Sequence, residues 1–343
     1  MAIVAGFDVH RTQITFDALD SETGELARGR IDSTPAAVCA WVKRFPGRRV
    51  EVAVEACTGW LFVCESLAEA GAVPHLAEPA ETSARRGKKR HAKTDRADAR
   101  HLRELLCEGR LPEAWLPPAH VVAWRTRTRL RKTLVDERTQ WLQRIRATLF
   151  HHGVPPTDVP QRLLSRGGRS FLERVELPEA ARERITVALA IIDALDLQLV
   201  PLEHRLRLLA RRQPGCQALM RESGIGELIA ATILCELGDV SRLSSSRKAV
   251  RAVGLDVGVY RSDRRSRVGK LTKQGSPAAR WALYEAAQSA CRRTSPNHSA
   301  YLELKGRGLS HTRASLTIAR KLARRCFHTL RELGPEALAP ISD

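Results

Sequence analysis

From residue 185 onward, Ile185, Ile192, Leu195, Leu199, Leu202, Leu206 and Leu209 recur, mostly in alternating steps of three and four. That spacing keeps one side of a helix apolar for about seven turns, and such a stripe must be covered by another helix. The stretch from about 119 to 152 offers one, with Leu130, Leu134, Trp141, Ile145 and Leu149 at helical spacing among many arginines. Trp124 and Trp141 read as seam residues. Between the two stretches, "HHGVPPTDVPQ" and "SRGGRS" carry the prolines and glycines that let the helices fold back antiparallel. Pro201 falls inside the second helix and is expected to kink it. The stripe can close against the 119–152 helix or against another copy of the chain, and the spacing leaves both open.

Upstream of this long helical middle the periodicity is different. "IVAGFDV" and "ITFDAL" are short apolar, β-branched runs, and "ARGRI" follows a turn at Gly24 as a third strand. Thr34 before Pro35 is a helix start leading "AAVCAWVKRF". "RVEVAVEA" reads as a strand, "TGWLFVCESLAEAG" as a helix stopped by Gly71, and "AVPHLAEP" as another short strand. Hairpin strands first and βαβ units after make this an α/β domain. The prolines of "GRLPEAWLPP" close it. The expected organisation is an α/β domain over 1–112, a helical coiled-coil segment over 113–215, and an all-α, basic C-terminal domain over 216–343.

The formal net charge is +19 and the sequence pI about 10.4. A surplus of that size suits a protein that neutralises phosphates, so nucleic acid is the expected partner. Abundant arginine can reflect GC-rich coding, but that does not explain why base exceeds acid. The eight cysteines are scattered, without a C-x-x-C pair or zinc-like spacing, and read as reduced core thiols of a cytoplasmic protein. "MAIVAGFDVH" lacks the pattern of a signal peptide, and no uninterrupted apolar stretch long enough for a bilayer is read, so no membrane partner is expected.

The chemistry-bearing residues are acidic. Asp8 ends the first apolar strand, Glu55 ends "VEVAVE", and Asp95 and Asp98 stand at i and i+3 on the helix opened by "KTDRADARHLRELL". Carboxyl ends of neighbouring strands converge on one crevice, to which a helix beside that edge can add two more carboxylates. Four carboxylates together repel unless cations neutralise them, and hard oxygen donors select Mg²⁺ or Mn²⁺. Two such ions about 4 Å apart clamp both oxygens of an in-line phosphoryl displacement. Singly, each acid has a plainer reading: a strand-end turn for Asp8, a helix cap for Glu55, the helix dipole for Asp95, pairing with His101 for Asp98. Immediately upstream, Lys88, Lys89, Arg90 and Lys93 crowd against these acids. They suit phosphate held beside a metal, or a solvated surface helix.

In the ordered set "GFDVH", "VEACTGW" and "AEPAETSARRGKKRHAKTDRADARHLRELLCEGRLPEAWLPP" the chain resembles the DEDD-type insertion-sequence transposases of the IS-one-ten family. The resemblance implies a RuvC-like (RNase H-like) fold for the α/β domain, with Asp8, Glu55, Asp95 and Asp98 as the four metal-binding acids. "EACTGW" is the looser match.

Further on, "SGIGELIAATILCELGDVSRLSSSRKAVRAVGL" places Gly224-Ile225-Gly226 before a helix and resembles a helix-hairpin-helix, whose backbone N–H groups can bind phosphate. A tight packing turn is the equal alternative. In "VYRSDRRSRVGKLTKQG", Ser262 stands among Arg261, Arg264, Arg265, Arg267, Lys270 and Lys273. By its residues alone this is a loop serine within a phosphate-contacting patch, or a nucleophile whose alkoxide the cations stabilise. The family resemblance favours the second, since its C-terminal domain has a serine similarly spaced before a glycine and a "K-x-G" element, here Gly269 and 273–275. Asp263 replaces the glycine that commonly follows the family serine, which leaves Ser266 and Ser276 as rivals. Arg125, Arg127, Arg129, Arg131 and Lys132 crowd one helical stretch, and phosphate contacts are expected there, at Arg125 and Arg129 in particular.

The resemblance spans nearly the whole chain. It implies a recombinase that joins its serine to a DNA 5′-phosphate and exchanges strands of donor and target DNA. It also implies composite sites in a homodimer or homotetramer, nucleoid association when active, and an element-encoded bridge RNA that selects the DNA. A metal-dependent, Holliday-junction-type nuclease that hydrolyses with water is the alternative. A non-catalytic assembly factor is the third reading.

Overall fold

The structure, a computed structural model, describes residues 2–86, 94–262 and 265–341, with backbone alone for 259–262, 265–268 and 270. The chain divides into two compact units, Met1–Leu116 and Pro117–Asp343.

The first unit is built on a five-stranded sheet, β1 (Ala2–Val9), β2 (Gln13–Asp20), β3 (Leu26–Asp32), β4 (Arg49–Glu55) and β5 (Val73–Ala77), in the order β3-β2-β1-β4-β5. β1, β2 and β3 pair antiparallel, whereas β4 runs parallel to both β1 and β5. Helices α1 (Pro35–Val42), α2 (Trp60–Glu69), α3 (Pro79–Ala84) and α4 (Asp95–Cys107) complete it. This mixed α/β arrangement is consistent with a RuvC-like DEDD domain. α1 starts where the sequence predicts, with the Thr34 hydroxyl accepting from Ala37 N and Pro35 in the first turn.

The sheet has two chemically distinct faces. Ile3, Ala5 and Phe7 of β1, Ile14 and Phe16 of β2, and Val50, Val52 and Val54 of β4 form one core with Trp41 of α1 and Leu67 of α2. Phe7 and Phe16 both meet Trp41 edge-on, at 4.8 and 5.5 Å between centroids. The alternate residues, Gly6 and Asp8 on β1, Thr15 and Asp17 on β2, and Ala53 and Glu55 on β4, leave the sheet on the other side. That side carries α4 and the polar chemistry.

The second unit is mainly helical: α5 (Ala119–His151), α6 (Arg166–Arg174), α7 (Glu179–Arg212), α8 (Pro214–Leu219), α9 (Glu227–Leu237), α10 (Ser246–Ala252), α11 (Pro277–Ala290), α12 (His298–Gly306) and α13 (His311–Leu333). Part of the expected seam closes within the chain: Ile185, Ala188 and Ile192 of α7 pack with Ile145 and Leu149 of α5 and Leu172 of α6. Leu199, Leu202 and Leu206 are also buried, and α7 runs as one helix through Pro201. Trp141 lies against the α5–α6–α7 cluster, and Trp124 is buried outside it. Gly224, at φ 96°, turns the chain against α11, where a Cβ would lie 2.4 Å from the Ala286 carbonyl.

One expectation is corrected. The C-terminal region is not all-α, because β6 (Val257–Ser262) and β7 (Arg265–Leu271) form an antiparallel hairpin in which Ser262 pairs with Arg265. Val257 and Val259 begin an apolar period of two that Arg261 and the arginines of β7 do not continue. α7 is, by length and composition alone, long and apolar enough to cross a membrane. Asp193 and Asp196 interrupt it, paired with Arg169 of α6 and Arg138 of α5. Five of the cysteines, 64, 216, 235, 291 and 326, are buried and all eight are free. Burial pushes the Cys64 thiol up to about 12, as an inert core thiol requires.

Candidate active site

α4 reaches the strand ends for local reasons. Thr94 caps it, its hydroxyl accepting from Ala97 N at 3.3 Å, and Asp95 and Asp98 occupy the first turn, where the helix dipole favours negative charge. Gly6 then lets the helix lie directly on β1: a Cβ there would sit 2.1 Å from the Ala99 carbonyl oxygen and 2.6 Å from Arg103 N. Leu102 packs into Ala53 and Ala77 beneath. Arg103 ion-pairs with the buried Asp17 of β2, whose other oxygen accepts from Arg28 Nε at 2.8 Å. Breaking a pair this deeply buried costs roughly 3–5 kcal/mol, because the remaining charge is stranded. Small-residue contact and a polar clamp together fix where Asp95 and Asp98 fall over β1.

There Asp8 meets Asp95. Asp8 Oδ2 lies 3.0 Å from His10 Nε2, and the same nitrogen lies 3.5 Å from Asp95 Oδ1. Each of the three side chains offers a donor atom within 4.8 Å of the other two. Asp98 is close enough to act on Asp8 electrostatically, but its own carboxylate is ion-paired with Arg86, and His101 bonds instead to the Thr82 carbonyl. Glu55 ends β4, half-buried on the α4 side of the sheet, outside that close group of three. Burial pushes the Asp8 carboxyl above its ordinary 3.8; His10 acts against this, while Asp98 and Asp95 add to it. Carboxylate oxygens plus one imidazole nitrogen suit a divalent cation, and a cation here would relieve the crowding that makes the Asp8 charge costly. The residues therefore fit a metal.

His10 was not singled out by the sequence reading. Its signal was present, since "DVH" sets a histidine two residues beyond a strand-end aspartate, and a period of two returns it to the same face.

Of the expected phosphate-binding residues, Lys88, Lys89, Arg90 and Lys93 lie outside the described residues, as do Arg264 and Asp263. Arg261, Ser262, Arg265, Arg267 and Lys270 fall on the β6–β7 hairpin, described by backbone. Lys273, exposed and at φ 55°, follows it. Below the hairpin, Thr272 N donates to the Asp256 carbonyl at 3.0 Å and its hydroxyl bonds the Asp256 carboxylate.

Arg125 and Arg129 have interior partners. Arg125 Nε donates to the Cys235 carbonyl at 2.6 Å; Arg129 grips Glu236 through Nε at 2.6 Å and a second nitrogen at 2.8 Å. Ser276, one of the rival serines, donates to Glu236 at 2.8 Å while capping α11 through Ala279 N. Burial would push Glu236 up, but the Arg129 hydrogen bonds and charge, Ser276 and Arg125 outweigh it and hold it below 4.5.

Two segments of the chain resemble known protein families. Residues 5–152 match a model of DEDD-type IS110 sequences described as "Transposase", and residues 216–303 match one described as "Transposase IS116/IS110/IS902 family". A curated relative, "Insertion element IS116 uncharacterized 44.8 kDa protein" of Streptomyces clavuligerus, is 26% identical over 207 residues, 60% of this chain. That match spans 50% of the relative's length. With two models of these transposases matching residues 5–152 and 216–303, together more than half of the chain, the chain belongs to the IS116/IS110/IS902 transposase family.

Proposed function

We propose that the protein is a DNA transposase that breaks and rejoins strands by phosphoryl transfer. Asp8, Asp95 and His10, completed by Glu55 and Asp98, hold Mg²⁺ or Mn²⁺, and Ser262 is the nucleophile. The observation that carries the reading is the meeting of Asp8 and His10 with Asp95, which is far from both in sequence, on one face of the sheet. When bound, the cation neutralises charge on the reacting phosphate. Ser262 Oγ attacks phosphorus and loses its proton; the P–O3′ bond breaks, and the departing 3′ oxygen takes up a proton. The serine phosphodiester keeps the strand's 5′-phosphate until another 3′-hydroxyl reverses the step at a new junction and frees the serine. The cations at 261, 264, 265, 267, 270 and 273 steady the phosphodiester, and those at 88, 89, 90 and 93 hold nucleic acid beside the acids. Donor and target DNA are the substrates, and a bridge RNA encoded by the element selects them.

A suicide substrate tests the chemistry. The wild-type protein with Mg²⁺ traps a covalent protein–DNA adduct, and Ser262→Ala traps none. An adduct persisting in Ser262→Ala moves the nucleophile elsewhere, and cleavage with no adduct in either protein is the signature of the hydrolytic junction nuclease.

The acids and the serine of one reaction centre come from different copies of the chain. Supporting this, α7 keeps an apolar face after packing: Val187, Leu197, Val200 and Leu208 are 54, 71, 70 and 38% exposed. A second copy covers it, as heptad-spaced helices cover one another. Light scattering then gives a dimer or larger assembly; a monomer with and without nucleic acid overturns this part.

A further inference from the structure

Directly across the β1–β2 ladder from Asp8 stands Thr15, and opposed residues of an antiparallel pair leave the sheet on the same face with their Cβ atoms about 4.5–5.5 Å apart. α4 covers that face. Thr15 is 1% exposed, and its hydroxyl has no hydrogen-bond partner among the described residues. The next residue on the same row, Asp17, shows how such a group is ordinarily treated: both its oxygens are taken, by Arg103 and Arg28. A buried hydroxyl without a partner is costly, and valine, with the same shape and a higher strand preference, would remove that cost. A threonine kept here needs a partner that arrives with the ligand.

We propose that Thr15 is a further residue of the metal site, whose hydroxyl holds a water molecule of a hydrated divalent cation seated at Asp8, His10 and Asp95. A hydroxyl both donates and accepts, so it can take a hydrogen bond from a metal-bound water while pointing its own proton at the Asp8 carboxylate or at a second water. The cation's charge polarises that water, which strengthens the bond Thr15 receives. Thr15 positions the hydration shell and touches no reacting atom, so it is a positioning residue. The inference rests on the metal reading above.

The test compares Thr15→Val, Thr15→Ser and Asp8→Asn with wild type. Melting temperature is measured without metal, and Mn²⁺ uptake is followed by the loss of free-ion EPR signal. Thr15→Val melts at or above wild type, since it removes an unpaired buried hydroxyl, yet binds Mn²⁺ roughly tenfold more weakly, the low end of what outer-shell partners contribute. Thr15→Ser, which keeps the hydroxyl, stays near wild type in Mn²⁺ affinity. If Asp8→Asn loses Mn²⁺ while Thr15→Val binds it as wild type does, this inference falls and the metal site stands. If wild type takes up no Mn²⁺, both fall. A Thr15→Val protein that melts below wild type shows the hydroxyl bonded within the fold, and that too overturns the proposal.

Discussion

Asp8 in the first unit and Glu236 in the second are both largely withdrawn from water, and the folds treat them in opposite ways. Glu236 has Arg129 on both oxygens, the Ser276 hydroxyl on one of them and Arg125 nearby, and its pKa is held below the ordinary value. Asp8 has a histidine on one oxygen, yet burial first, and then two further aspartates within electrostatic reach, push its pKa up. Among the described residues, Arg86 is paired with Asp98. A buried carboxylate that only holds a fold together is given its counter-charge by the chain. One left among like charges, at a strand edge where donor atoms converge, is a group whose counter-charge comes from outside. Asp8 lies in the segment matched by the DEDD-type model and Glu236 in the segment matched by the other.

The comparison breaks most visibly at Asp95. Asp95→Asn removes one donor and one of the repelling charges, so metal-dependent strand cleavage falls by roughly 10²–10³-fold, the scale on which one preorganised electrostatic group matters. The metal-free protein melts close to wild type, because removing a charge that repels Asp8 offsets the loss of a favourable charge at the start of α4. Cleavage rates on a nicked donor substrate and a thermal melt check both halves. A variant that cleaves normally, or that melts well below wild type, makes Asp95 a structural acid of the Glu236 kind.

Why some of this was legible in the sequence and some was not follows from the range of the forces involved. Strands β1, β2 and β4 announce themselves by period and β-branching, and α1 by Thr34-Pro35, because these are local preferences. Asp8 and Asp95 were legible as partners because a strand end and a helix start are places where side chains converge. The i, i+3 spacing of Asp95 and Asp98 could not reveal that Arg86 claims one of them, since that pairing needs the turn after α3 to lie beside α4. Arg125 and Arg129 looked like a phosphate-facing row, and their partners at Cys235 and Glu236 lie more than a hundred residues away in sequence. The hairpin carrying Ser262 was hidden by its own arginines, which break the apolar alternation by which strands are recognised. Thr15 gave no signal at all; its meaning lies in a missing hydrogen bond, which only packing can show.

The smallest effect is at the other pole of the comparison. Glu236→Gln keeps the shape but loses the charge that Arg129 and Arg125 face, and a hydrogen bond to a charged group is worth about 2 kcal/mol. The Arg129 side chain is 58% exposed, so water screens part of the pair and the effect stays below that of the fully enclosed Asp17–Arg103 clamp. A loss of about 2 kcal/mol lowers the melting temperature by roughly 5 °C in a unit of this size. Its pH dependence has a definite sign. Because the folded-state pKa of Glu236 lies below the unfolded value, the folded form binds fewer protons, and the stabilisation is complete above pH 4.5 and drains away as pH falls through the depressed folded value. The gap in melting temperature between wild type and Glu236→Gln is therefore widest near neutrality and closes on acidification. Asp8→Asn runs the other way: the raised carboxyl of Asp8 makes its charge a burden that grows as pH climbs past 3.8, so metal-free Asp8→Asn matches wild type in acid and outlasts it near neutrality. Melting curves of the three proteins across that range, without metal, decide the matter, and two gaps that open in the same direction would show that both acids belong to the scaffold.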